Sequence, residues 1–183
     1  MRVEVAYHDD MWQEIKQNAL FTEGKYDTGK YPTTAWKKAM LLCEHSPIRS
    51  GRLIVDIFDI PVFVIDHFVR HHIGFTPFVS SLRDDRNDFP EGYIPNRETL
   101  NSMRFDGNFQ AFINISRKRL CGKAHPKTRE VWKAVLDKVS TFEPELVSVC
   151  VPECVYRGFC PERKTCGYFL GSEYARKVAE YRS

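Results

Sequence analysis

Residues 59–83 read DIPVFVIDHFVRHHIGFTPFVSSLR. Asp59-Ile60-Pro61 has the form of a helix start: an acceptor side chain, then a proline with no N–H that needs a partner. The pattern predicts a helix over Val62–His72 that is apolar on nearly every face. The exception is one polar stripe, because Asp66 and Arg70 are four apart, as are His67 and His71. A helix buried all round carries such a stripe only where something polar meets it. Upstream, Arg52 to Phe58 is rich in branched and aromatic residues and reads as a buried strand. Downstream, residues 73–101 are rich in Gly, Pro, Asp, Asn and Arg, and read as loop with short pieces of structure.

The flanking chain alternates the same two kinds of element. Val3 and Val5 mark a short strand, and Met11–Leu20 a helix ending before Gly24. Thr33 or Thr34 caps a helix that runs through Leu42 and is broken at His45-Ser46-Pro47. Further helices are expected over Gly107–Leu120 and from Pro126 to about Ser140. Asn108 and Arg119 are eleven residues apart, three helical turns, so they share one face about 16 Å apart along the axis. One face can then touch two parts of a long ligand. The expected organisation is a domain over residues 1–142, with residues 143–183 as a Cys-rich C-terminal extension packed on it.

Composition narrows the function classes. The 27 Lys and Arg exceed the 24 Asp and Glu by three, too mild a surplus for wholesale binding to nucleic acid or a membrane. The longest apolar run, Pro61–Ile65, stops at Asp66, far short of a membrane span. MRVEVAYHDD at the N-terminus has no signal-peptide stretch, so a soluble, cytoplasmic protein in a reducing compartment is expected. The 13 Phe suit a dense core or a site that stacks flat rings.

Arg70-His71-His72, seven residues, then Ser80 resembles the signature of the flavin-dependent thymidylate synthases, which is Arg-His-Arg, seven residues, Ser. The likeness extends over residues 45–129 in ordered segments. His45-Ser46-Pro47 resembles a flavin-contacting His-Ser/Thr-Pro step. Asn108, Asn114 and Arg119 repeat the spacing of two flavin-contacting Asn and a nucleotide-binding Arg. Ala124-His125 and Arg129 stand where the family has Ala-Gln and a basic residue. The chain departs from the pattern at His72, which replaces Arg, and at His67, which stands in for a Gln. Pro77 and Phe78 replace a Glu and an Asn, and Arg83 follows Ser81 at the spacing the family has after its Ser.

The resemblance implies an α+β fold with a curved antiparallel sheet and long central helices. It also implies a methyltransferase of dTMP biosynthesis: reductive methylation of dUMP to dTMP, with methylenetetrahydrofolate as carbon donor, FAD as flavin and NADPH as reductant. Family members are homotetramers with active sites between subunits. By the same resemblance Arg119 polarises the pyrimidine and binds it. Ser46, Arg70, His71, His72, Asn108 and Asn114 hold flavin, while His67, Ser80, Ser81, Arg83 and Arg104 complete the substrate site. A guanidinium suits such phosphate and carbonyl oxygens because it donates in a planar fork.

Other readings of the same residues stay open. A related hydroxymethylation of another pyrimidine deoxynucleotide such as dCMP is one, and a non-catalytic nucleic-acid or protein-binding module is another. Arg83 can pair within its own loop, Arg104 with Asp106 or Glu98, and Ser46 fits a helix stop. Cys150, Cys154, Cys160 and Cys166, spaced C-x3-C-x5-C-x5-C, can surround a structural zinc; an iron–sulfur cluster also takes four Cys. Cys43 and Cys121 are expected to be packing residues.

Overall fold

The computed structural model describes residues 1–26 and 29–182. Strands β1 (Arg2–His8), β2 (Arg52–Pro61), β3 (Phe75–Val79) and β4 (Leu100–Asn108) form one antiparallel sheet in the order β1-β2-β4-β3. Among the described residues eight helices accompany it: α1 (Trp12–Thr22), α2 (Thr34–Cys43), α3 (Val62–Phe68), α4 (Phe109–Arg119), α5 (Pro126–Val139), α6 (Pro144–Ser148), α7 (Glu153–Arg157) and α8 (Ser172–Arg182). The fold is α+β with an antiparallel sheet, as the resemblance implies.

Alternation assigns the two faces of the sheet. Leu53, Val55 and Ile57 of β2, with Met103 and Phe105 of β4, point inward and are fully buried. Their neighbours Asp56, Arg104 and Asp106 point the other way and pair across strands. Trp132 of α5 lies against Phe68, Phe105 and Phe112, with ring centroids 5.7–6.2 Å away. Its indole N–H donates to the Ser116 hydroxyl at 2.9 Å. Leu146, Val149, Cys154, Val155 and Tyr181 join the same core, so residues 144–182 share it with the rest of the chain.

Three boundaries differ from the sequence reading. Asp59-Ile60-Pro61 finishes β2 through a bulge, with Asp59 at φ +57°, and α3 begins at Val62 as expected but with Pro61, not Asp59, in the cap position. Pairing with β4 as far as Leu100 outweighs the local capping signal. The helix expected to reach His72 stops at Phe68, where the chain turns through Val69 to Gly74. Gly107 and Asn108 finish β4 rather than open α4. Asn108 caps that helix, its Oδ1 accepting from the Ala111 N–H at 2.9 Å.

Candidate active site

The early end of α3 places Arg70, His71 and His72 in the turn between α3 and β3, where they face α4. Gly74 closes the turn at φ +67°, where any Cβ would meet the Asn108 side chain at 2.5 Å. The Asn108 N–H donates to the Gly74 carbonyl at 2.9 Å, tying the turn to the start of α4. Between turn and helix lies a cavity of about 140 Å³ lined by Arg70, His71, His72, Asn114 and the apolar Ile73, Ala111 and Ile115. Arg70 and His72 are exposed at its rim, and Arg70 has no acidic partner among the described residues. Four residues expected to hold flavin are thus brought to one cavity with a cationic rim and an apolar wall.

Arg119, at the end of α4, reaches back to the same turn. Its Nε donates to His71 Nε2 at 3.0 Å, and its Nη2 donates to the His67 carbonyl oxygen. The Nη1 hydrogens have no protein acceptor among the described residues, which leaves them for a ligand. Burial, and then the like charge of Arg70, lower the pKa of this half-buried guanidinium. His67 lies within hydrogen-bond distance of the Thr128 hydroxyl, 2.7 Å, and edge-on to Phe63.

The two histidines share one electrostatic bias. Burial, followed by the Arg119 charge, pushes His71 down to about 4 and also lowers His67. His71 is therefore neutral at pH 7, and its Nε2 is free to accept from Arg119. A folded-state pKa below the unfolded value near 6.5 stabilises the protein fully above about pH 6.5, and that contribution is lost as pH falls toward 4. The thermal midpoint should accordingly drop across this window, and less steeply in His71→Asn. Identical slopes for the two proteins would remove His71 as a cause.

Other expected site residues stand elsewhere within one chain. Arg104 is neither free nor paired with Asp106 or Glu98. Its guanidinium grips Asp56 across the strands at 2.6 and 2.7 Å, while Asp106 pairs with Arg52 and Glu98 with Arg97. Arg83 forks onto Asp85 in its own loop, at 2.8 Å for both contacts. The Ser81 hydroxyl accepts from the Arg83 N–H, and Ser80 is held at the sheet edge through its backbone. Ser46 is exposed and opens a short turn of helix, Ser46–Ser50. Asn108 is engaged as the α4 cap, and only Asn114 of the two expected asparagines lines the cavity.

The sequence reading missed the network behind that cavity. Glu44, in a left-handed cap at the end of α2, receives Gln110 at 2.6 Å and also Arg117. Arg117 stacks over Tyr156 of α7 at 3.5 Å. The Arg117 Nε is buried with no acceptor among the described residues. The signal available in the sequence was its i,i+3 place after Asn114.

Cys150 is fully buried beside Ser116 and Arg117, and burial pushes its thiol up to about 12. Cys121, expected to be a packing residue, is half-buried and lines one cavity with Cys150, Cys154, Cys160 and Cys166. Cys43 is exposed rather than packed. No group of three or more His, Cys, Asp or Glu side chains among the described residues is placed to hold one metal ion. No helix among the described residues is long and apolar enough to cross a membrane.

The fold and this turn define an α+β protein whose antiparallel sheet carries a His- and Arg-lined cavity against a capped helix. The same fold occurs in crystal structures of flavin-dependent thymidylate synthase from Helicobacter pylori in complex with FAD and dUMP. Two such structures align with TM-scores of 0.63 and 0.62 at 13% identity, covering 82% of this chain and 100% and 99% of theirs. The likeness is one of fold, and part of this chain lies outside it. No protein-family model and no curated relative matches the sequence.

Proposed function

We propose that this chain is a divergent flavin-dependent enzyme that methylates dUMP to dTMP, with methylenetetrahydrofolate and NADPH as co-substrates. The observation that carries this reading is the convergence of Arg70, His71, His72 and Asn114 on one cavity, with Arg119 bonded to His71 behind it. The donor set fits FAD: an unpaired guanidinium and an exposed imidazole suit its diphosphate, and Ile73, Ala111 and Ile115 suit an apolar ring edge. A cavity of about 140 Å³ holds only a portion of such a ligand. A homotetramer that completes the site between subunits accords with that size, and with a cavity lining that does not include Ser46, Arg83 or Arg104.

When bound, the flavin supplies the hydride chemistry that no side chain can. The chain's own part is to bind and orient. Arg119 presents its free Nη1 hydrogens to a pyrimidine carbonyl and stabilises charge as it develops there. Neutral His71 accepts from Arg119 Nε and fixes the plane of the guanidinium. Arg70 and His72 face the diphosphate. In this reading Arg83 or Arg104 reaches the nucleotide phosphate only by exchanging its carboxylate partner, Asp85 or Asp56, for it.

The test is an FAD titration followed by gel filtration. Bands at about 370 and 450 nm that travel with the protein are expected, as for oxidised flavin, and should weaken in Arg70→Ala. A protein that stays colourless in excess FAD overturns the reading. Turnover of dCMP in place of dUMP would keep the flavin and transfer the function to hydroxymethylation or a related one-carbon step.

A further inference from the structure

We propose that Glu44 and Arg117 are positioning residues for the cavity: they turn the Asn114 side chain so that its Nδ2 hydrogens, and not its Oδ1, are offered to the ligand. The proposal deepens the flavin reading and rests on it for the ligand, FAD, whose acceptor atoms such a donor would meet. Gln110, Asn114 and Arg117 form one polar row on α4, at i, i+4 and i+7, while Ala111, Phe112, Ile113, Ile115 and Ser116 between them are buried. Gln110 Nε2 and Arg117 Nη1 both donate to Asn114 Oδ1 at 3.4 Å. Asn114 Nδ2 has no protein acceptor among the described residues, and Asn114 lines the cavity.

Charge fixes the polarity of this row. A guanidinium can only donate, so the Asn114 atom that meets Arg117 is the oxygen. A carboxylate can only accept, so Gln110 turns its amide nitrogen to Glu44, at 2.6 Å, and a second hydrogen on that nitrogen is left for Asn114. Glu44 holds both ends of the row, since Arg117 Nη2 donates to its other oxygen. An isolated asparagine amide offers a ligand either end. This one offers only its donors.

The rest of the fold keeps the two charges in place. Glu44 adopts a left-handed backbone, φ +51°, at a helix end where glycine is the usual occupant. Glycine there would relieve the backbone but supply no carboxylate. The Arg117 guanidinium lies 3.5 Å from the ring centre of Tyr156 on α7, and buried Tyr181 of α8 is within reach of the same charge. The Arg117 Nε is buried with no acceptor among the described residues, so the Nη contacts and the two tyrosines set where the guanidinium sits. Helices α7 and α8 thereby act on the cavity through Arg117, although neither lines it.

The test is a double-mutant cycle on FAD affinity, with Arg117→Met made in the parent chain and in Asn114→Ala. Arg117→Met should raise the FAD Kd about tenfold in the parent, the worth of one oriented hydrogen bond. It should change Kd little once Asn114 is gone, because it acts through that side chain. A second measurement uses no flavin. The Asn114 side-chain amide protons, followed by NMR in the free protein, should stand apart from free-asparagine positions in the parent and return to them in Arg117→Met. The Trp132 indole N–H signal, a reporter of the core, should stay where it is. Glu44→Gln, at a partly exposed helix end, should show both effects and stands in where Arg117→Met fails to fold. A chain that takes up no FAD overturns the flavin reading, and the NMR result then decides the positioning role by itself. Equal loss of affinity in both backgrounds, or Asn114 amide signals that do not move, would overturn the proposal.

Discussion

Under the proposed function, Arg119→Ala should lower turnover of the pyrimidine nucleotide about 10²–10³-fold while the protein still folds and takes up FAD. The magnitude is that of removing one preorganised donor aimed at developing negative charge. Arg119 is tied at Nε by His71 and at Nη2 by the His67 carbonyl, so the direction of Nη1 is set before any ligand arrives. Preorganisation of this kind places the loss mainly in kcat rather than KM. Arg119→Lys keeps a charge but loses the planar fork, and should restore little. Removing the guanidinium also removes a neighbouring positive charge that depresses His71, so the imidazole pKa, followed by NMR, should rise in the same variant. Steady-state rates of nucleotide methylation measure the first effect. Unchanged turnover would take Arg119 out of the chemistry, even if the His71 titration moved.

Trp132→Ala should destabilise the fold by about 3–5 kcal/mol, the range for removing a fully buried aromatic ring. Trp132 has no exposed surface and joins α5 to three ring systems, on α3, β4 and α4. Truncation leaves a cavity at the point where those elements meet, and strands the Ser116 hydroxyl, itself fully buried. For a chain of this size the thermal midpoint should fall by roughly 10 °C. Trp132→Phe restores most of the ring and should cost far less. Urea unfolding followed by circular dichroism gives both values, and a loss under about 1 kcal/mol in Trp132→Ala would show that the cluster can collapse around the gap. The site would feel this change as well, since α5 also carries Thr128, the partner of His67.

The parts of the fold that proved legible are those governed by neighbours in the chain. Thr33 caps α2 through the Trp36 N–H, Pro126 opens α5, and the α5 stripe of Val131, Trp132, Val135 and Val139 is buried as its spacing predicts. Arg70, His71, His72, Asn114 and Arg119 are marked by the resemblance to a known family, and the structure gathers them around one turn. Misreadings arose where a distant partner outweighed a local signal. Asp59-Ile60-Pro61 has the chemistry of a helix cap, but β4 holds it in the sheet. Arg104 found Asp56, 48 residues away, and not its near neighbours, because cross-strand register places the two opposite each other.

The sequence by itself determined which residues can do chemistry and which segments bury an apolar face, because residue type and periodicity are local properties. Only the tertiary structure decided that α3 stops short, that His71 is neutral and that Arg119 has donors to spare. Each of these depends on desolvation or on a partner brought from another element, and both are set by packing between segments far apart in the chain.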